Sequence, residues 1–110
     1  MIKKVVFEGD SLEVIRAFPD RARQRVGYEI DRIQNGLEPL NWKPFSSIGA
    51  GVREIRMQTG MQYRVIYIAR YGNTVHVLHA FQKKAQKTPK PDIDVTRQRL
   101  RQVARRYTEQ

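Results

Sequence analysis

Three runs rich in β-branched and aromatic residues follow one another in the middle of the chain, and they constrain the fold more than any other feature. They predict strands over Val52–Gln58, Gln62–Arg70 and Thr74–Phe81. Thr59-Gly60 and Gly72-Asn73 separate these runs by tight turns, which predicts an antiparallel meander. The middle run is apolar on both faces from Tyr63 to Ala69, so its strand is expected to be covered on both sides.

The residues before the meander predict a short strand, a helical hairpin and a loop. Lys3–Phe7 is β-branched and aromatic, and it predicts a strand that begins the sheet. Asp10 and Glu13 stand at capping-box spacing and begin a helix that Pro19 ends. A second helix is predicted over about residues 20 to 35, with Gly36 as its stop signal. The irregular segment from Leu40 to Gly51 predicts a loop.

The residues after the meander predict a basic linker and a last helix. Gln82–Pro91 is polar, and its two prolines prevent the strand from continuing. The last helix is predicted over residues 91–107 with apolar residues on one face and arginines on another. The apolar stripe contains Ile93, Thr96, Leu100, Val103 and Tyr107, and the other face contains Arg97, Arg101 and Arg105, with Arg99 and Arg106 near the boundary. The predicted class is α+β, in the order βααβββα: one domain over 1–110 with a small antiparallel sheet packed against the N-terminal hairpin.

The chain is strongly basic, with 21 Lys and Arg against 11 Asp and Glu. The first forty residues are balanced in charge, so the surplus lies between Arg53 and Arg106, where a polyanion is expected to bind. There is no Cys, and the two His are too few to hold a catalytic metal without several carboxylates. We therefore expect no metal or other cofactor. No apolar run is long enough to cross a bilayer, which predicts a cytoplasmic protein.

Two groups of residues are candidates for chemistry. Arg56 shares a strand face with Glu54, whereas Arg64 shares one with Ile66. Two interpretations stay open for Arg53 and Arg64: structural pairing with a carboxylate, or a guanidinium cluster that binds and polarises a phosphodiester.

The last strand of the meander ends with the second group, which combines an imidazole, an aromatic ring and two ammonium groups in His79, Phe81, Lys83 and Lys84. For an RNA substrate these would supply a proton carrier, a stacking surface and cations for the scissile phosphate. Core packing is the alternative for Phe81, and a half-buried structural histidine is the alternative for His79.

The first hairpin contains Arg-Glu-Ile-Arg followed by Tyr-Arg-Val-Ile-Tyr, and the next stretch contains Val-Leu-His-Ala-Phe-Gln-Lys-Lys with a later Lys-Thr-Pro. These two stretches resemble the RelE/ParE toxin superfamily. The second stretch is typical of the HigB-like branch, the phage-derived Gp49-like proteins. The resemblance covers nearly the whole chain and implies a RelE-like fold, a small antiparallel sheet backed by a helical hairpin.

The resemblance also implies an activity, that of a type II toxin which enters the ribosomal A site and cleaves messenger RNA without a metal. A 2′-hydroxyl attacks the adjacent phosphate, and basic side chains stabilise the phosphorane. Arg56 and Arg64 match the strand arginines of the family, and Lys83 and Lys84 match its basic pair. No Tyr follows that pair where RelE proper has its catalytic tyrosine, so His79 or a lysine is the expected replacement. Contacts to the substrate are expected from Arg53, Phe81 and Lys87.

The partners implied by the resemblance are the ribosome, its messenger RNA and a cognate antitoxin. The antitoxin is expected to carry a helix-turn-helix domain, so that operator DNA is reached only through it. The arginines of the last helix are expected to attract ribosomal RNA or an acidic antitoxin segment. Two alternative functions remain, a ParE-like inhibitor of DNA gyrase and a non-catalytic RNA-binding module.

Overall fold

The computed structural model describes residues 2–108 as a five-stranded sheet with helices on both faces; residues 1, 109 and 110 of the predicted domain lie outside this range. The elements are β1 (Lys4–Phe7), α1 (Ser11–Arg16), α2 (Asp20–Gln34), β2 (Trp42–Pro44), β3 (Val52–Thr59), β4 (Met61–Ile68), β5 (Thr74–Lys83) and α3 (Lys90–Thr108). The predicted α+β class, N-terminal helical hairpin and C-terminal helix are confirmed.

The sheet has the strand order β1-β5-β4-β3-β2 and differs from the predicted one in two details. Strands β2 to β5 are antiparallel, but β1 pairs in parallel with β5, so the sheet is mixed. Strand β2 occupies part of the predicted loop, where Trp42 pairs with Ile55 and Pro44 with Arg53. Three residues that include a proline give almost no strand signal, and Pro44 is tolerated because β2 lies at an edge.

Strand β4 separates two hydrophobic cores, as its apolar pattern predicted. Val65 and Tyr67 pack with α1 and α2 on one face, whereas Ile66 and Ile68 pack on the other face with α3. The first core contains Ile15, Phe18, Ala22, Val26, Ile30 and Ile33 of the helices. The second contains Val103 of α3, with Ile93, Leu100 and Tyr107 packed around it. The predicted apolar stripe of the last helix therefore faces the sheet.

A β-bulge at Leu78 changes which face the end of β5 presents. Tyr67 pairs with Val77 and Ile66 pairs with His79, so Leu78 is an extra residue on β5. Regular alternation from Val77 would turn His79 toward α1 and α2. The bulge instead places His79 and every second residue after it on the face that α3 covers.

Buried polar contacts attach α3 to the sheet. Glu8 accepts a hydrogen bond from Arg106 at 2.7 Å and lies 2.8 Å from His76 Nδ1, while His76 Nε2 lies 2.9 Å from the Tyr107 hydroxyl. Arg99 donates to Asp10 at 2.7 Å, which holds the pKa of the Asp10 carboxyl below its usual value. Arg99 and Arg106 thus anchor the helix through carboxylates, and the Arg106 side chain remains 52% exposed.

None of the helices within residues 2–108 is both long enough and apolar enough to span a membrane.

We expect Glu8→Ala to lower the free energy of unfolding by about 2 to 4 kcal/mol, because it leaves His76 and Arg106 without their buried carboxylate. Urea unfolding measures this change. Lys90→Ala, which removes an exposed pair with Asp94 on α3, is the control and should cost less than about 1 kcal/mol. Equal losses in both variants would contradict an anchoring role for Glu8.

Candidate functional site

A basic cleft of about 700 Å³ lies between the β3–β4 hairpin and the segment that follows β5. Four cationic side chains line it, those of Arg56, Arg64, Lys83 and Lys84. No carboxylate of the described residues lines it. The remaining lining consists of one exposed apolar side chain, Met61, and of the polar or small residues Gln58, Gln62, Gln86, Gly60 and Ala85. The structure therefore brings together four of the five residues predicted to be catalytic.

Strand register explains why these cations meet. Arg56 is the direct cross-strand partner of Arg64, and Lys83 is the direct cross-strand partner of Gln62. Paired residues of an antiparallel sheet project from the same face, so the three strands direct their basic residues to one place. The face is the one covered further along by α3, since Arg64 is two residues from Ile66.

Glu54 lies beside the two strand arginines of this site, and the sequence predicted for it only a structural pairing with an arginine. It is 6% exposed, and its Oε1 lies 3.6 Å from Arg56 Nε and 3.7 Å from Arg64 Nε. Two like charges directly opposite each other destabilise a sheet, and the carboxylate between them offsets that repulsion. Its position two residues before Arg56, on the same strand face, is the signal that could have identified it.

Arg64 and Arg56 differ in how far they are free to bind a ligand. Arg64 is 5% exposed, and its two terminal nitrogens donate to the Tyr63 carbonyl at 2.9 Å and to Gln62 Oε1 at 2.8 Å. Burial lowers the pKa of the Arg64 guanidinium, Glu54 acts in the opposite direction, and Arg56 lowers it further. The Arg56 side chain is 29% exposed. Both arginines thus line the cleft, and Arg56 is the one with more of its side chain exposed to a ligand.

His79 and Phe81 lie beside this cleft but are occupied by other contacts. His79 Nε2 is 2.7 Å from Asp92 Oδ1, and its Nδ1 is 3.4 Å from Arg99 Nη1. Its ring stacks on Phe81 with centroids 5.4 Å apart, and Phe81 belongs to the second core. The structure thus agrees with the packing alternative for both residues, and the stacking surface expected of Phe81 is not presented to a base.

Two predicted substrate contacts lie outside the cleft. Arg53 pairs with Tyr67, a first-core residue, so alternation directs it to the opposite face of the sheet. There its guanidinium lies 4.0 Å from the centre of the Trp42 ring and 3.6 Å from Glu38. Lys87 is exposed in the segment between β5 and α3 and does not line the cleft.

Within residues 2–108, no group of three or more His, Asp or Glu side chains is arranged to hold a metal ion. The donors of the cleft are instead guanidinium, ammonium and amide groups, which hydrogen-bond to anionic oxygens. Arranged on one side of a cleft, they can bind a phosphate and stabilise negative charge that develops on it.

The fold is thus a mixed sheet between a helical hairpin and a C-terminal helix, and cations stand at the ends of its central strands. The family model for phage-derived Gp49-like proteins matches residues 13–101, which include all of α2, the strands β2 to β5 and most of α3. The chain therefore belongs to the family of phage-derived Gp49-like proteins. The membership of the Gp49-like proteins that the sequence motifs predicted is confirmed.

The structure is also similar to a chain in the crystal structure of the toxin–antitoxin complex RelBE2 from Mycobacterium tuberculosis. The TM-score is 0.53 with 21% sequence identity, and the match covers 76% of this chain and 100% of the other. This likeness confirms the predicted fold. No curated protein matches the chain.

We expect Arg64→Ala to lower the free energy of unfolding by about 2 to 4 kcal/mol, since it removes a buried cation beside Glu54 and the buried donor to the Tyr63 carbonyl. Arg56→Ala should cost less than about 1 kcal/mol because its side chain is partly solvated. Urea unfolding of the two variants compares them directly. A larger loss for Arg56→Ala would contradict the assignment of Arg64 to the buried layer.

Proposed function

We propose that this protein is the toxin of a type II toxin–antitoxin pair and that it cleaves messenger RNA on the ribosome. The observation that supports this proposal is the cleft, which is lined by Arg56, Arg64, Lys83 and Lys84 and by no carboxylate of residues 2–108. Membership of the Gp49-like family and the RelE-like fold support the same reading. A protein that acts on ribosomes would work in the cytoplasm.

In the proposed reaction the 2′-hydroxyl of one nucleotide attacks the phosphorus that follows it. The bond from phosphorus to the 5′-oxygen breaks, leaving a 2′,3′-cyclic phosphate on one fragment and a 5′-hydroxyl on the other. Arg56 and the two lysines stabilise the extra charge of the phosphorane, and each such donor is worth about 2 to 4 kcal/mol in comparable sites. The chemistry needs no cofactor, because cationic side chains supply the electrostatic stabilisation.

In this proposal a lysine, and not His79, donates the proton that the departing 5′-oxygen receives. An ammonium group of Lys83 or Lys84 can donate a proton to the departing 5′-oxygen, and the 2′-hydroxyl proton passes to solvent. His79 is held by Asp92 and Arg99, so its imidazole is engaged on the α3 side. Placement of the RNA strand in the cleft is assigned to the ribosome.

We expect Arg56→Ala to reduce messenger cleavage by about 10²- to 10³-fold, because it removes a donor to the phosphorane. Primer extension on translated messages after brief induction measures the cuts, which should be spaced in phase with codons. The matched control is Arg53→Ala, which removes the same side chain from the same strand but on the opposite face.

Equal losses from the two arginine variants would contradict the assignment of the cleft. A DNA damage response without cuts would support a ParE-like gyrase inhibitor instead. Binding to RNA with neither cuts nor DNA damage would support a non-catalytic RNA-binding module.

The exposed arginines of α3 are the proposed contact to ribosomal RNA. Arg97, Arg101 and Arg105 are spaced four residues apart, about 6 Å along the helix axis, on the face away from the sheet. Gln98 and Gln102 are exposed as well, and no large hydrophobic residue of α3 is exposed. Protein partners usually bury aromatic or aliphatic anchors, whereas phosphate backbones need only cations and polar donors. We therefore assign this face to RNA and expect the antitoxin, and through it operator DNA, to bind elsewhere.

We expect the double variant Arg97→Gln, Arg101→Gln to weaken binding to an RNA duplex and to reduce the slope of log affinity against log salt by about 1 to 2. Fluorescence anisotropy over a range of potassium chloride concentrations measures both quantities. Arg16→Gln, Arg21→Gln is the control, because it removes two exposed charges from α1 and α2. The same change in slope for both doubles would contradict a dedicated RNA face on α3.

A further inference from the structure

The two strand arginines of the cleft share one buried carboxylate without a hydrogen bond to it. Glu54 Oε1 lies 3.6 Å from Arg56 Nε and 3.7 Å from Arg64 Nε, beyond ordinary hydrogen-bond distance. Both Nε atoms are buried without a hydrogen-bond partner. Each guanidinium is therefore held to Glu54 by charge, with its Nε edge turned toward the carboxylate.

This arrangement leaves the three residues with one net positive charge. Arg56 and Arg64 face each other across the β3–β4 pair, and Glu54 is the acidic residue within 4 Å of both. A phosphodiester carries one negative charge, so a single RNA linkage at Arg56 would neutralise the group. The cluster has the charge of a receptor for one phosphodiester.

We propose that Glu54 is a positioning residue that holds the guanidiniums of Arg56 and Arg64 side by side, with Arg56 directed into the cleft to receive one phosphodiester. For the reaction itself this inference rests on the function proposed above. Glu54 does not line the cleft, and its side chain is 8% exposed. It therefore acts through the arginines and not by contact with the substrate.

A positioning role and a purely electrostatic role predict opposite effects of Glu54→Gln. Removal of a negative charge beside an anion site strengthens anion binding by Coulomb attraction. Loss of preorganisation slows the chemical step, because the donors are no longer fixed where charge develops. We expect kcat to fall at least tenfold while KM for programmed ribosomes stays the same or decreases.

Glu54→Asp separates position from charge in a second way. Aspartate keeps the negative charge but withdraws the carboxylate by one methylene from the two Nε atoms. Positioning predicts a loss of kcat in this variant also, whereas an electrostatic role predicts activity near that of the unsubstituted protein. The matched control is Glu38→Gln, because Glu38 lies 3.6 Å from Arg53 on the opposite face of the sheet.

A measurement that does not depend on activity accompanies the kinetics. The ¹⁵N–¹H signals of the arginine Nε groups report whether Arg56 and Arg64 remain fixed, and their hydrogen exchange should be faster in Glu54→Gln by at least tenfold. Glu38→Gln should leave these two signals unchanged. Thermal unfolding of each variant confirms that the fold is retained.

Unchanged exchange at both arginines, or a kcat equal to or above that of the unsubstituted protein in both Glu54 variants, would overturn the positioning role. Failure of the proposed function has a different signature: the unsubstituted protein would then cut no message, while the exchange difference between Glu54→Gln and Glu38→Gln would persist. In that case Glu54 still positions the two arginines, and the cleft serves a reaction other than RNA cleavage.

Discussion

The burial of strand β4 on both faces is the constraint on which the rest of the structure depends. Val65 and Tyr67 need cover on one side and Ile66 and Ile68 on the other. The N-terminal hairpin supplies the first cover and α3 supplies the second. Burial of apolar side chains is the main stabilising contribution to a domain of this size, so both helical layers are required. At the other end of β4, Arg64 and Gln62 line the open cleft, where no helix covers the sheet.

Alternation along the strands then separates the arginines by role. Arg53 and Arg56 are three residues apart in one strand and lie on opposite faces, where Arg53 meets Trp42 and Glu38, and Arg56 meets Glu54. The helix arginines divide in the same way. Arg99 and Arg106 are paired with carboxylates of the N-terminal segment. Arg97 and Arg101 are exposed, and Arg97 donates to the Ser47 carbonyl at 3.0 Å. Part of the net charge of +10 thus lies in anchors of α3, part in the proposed catalytic cluster and part on the proposed RNA surface.

Much of the fold and part of the site could be predicted from the sequence, because they depend on local periodicity. The meander, the hairpin, the stripe of α3 and the shared face of Arg56 and Glu54 follow from spacings of two, three and four residues. The parallel pairing of β1 could not be predicted, since it joins strands that are far apart in the chain. The bulge at Leu78 has no local signal, and it determines where His79 points. The hydrogen bonds of Arg64 to Gln62 and of His79 to Asp92 depend on side-chain packing that is defined only in the folded chain.

The chemical identity of the cut RNA ends tests whether a cluster of cations in this cleft promotes attack by a 2′-hydroxyl. The purified protein would be added to ribosomes translating a defined message, and both new ends would be identified by enzymatic labelling and mass spectrometry. We expect a 2′,3′-cyclic phosphate on the upstream fragment and a 5′-hydroxyl on the downstream fragment. A 3′-hydroxyl with a 5′-phosphate, or an intact message, would contradict it.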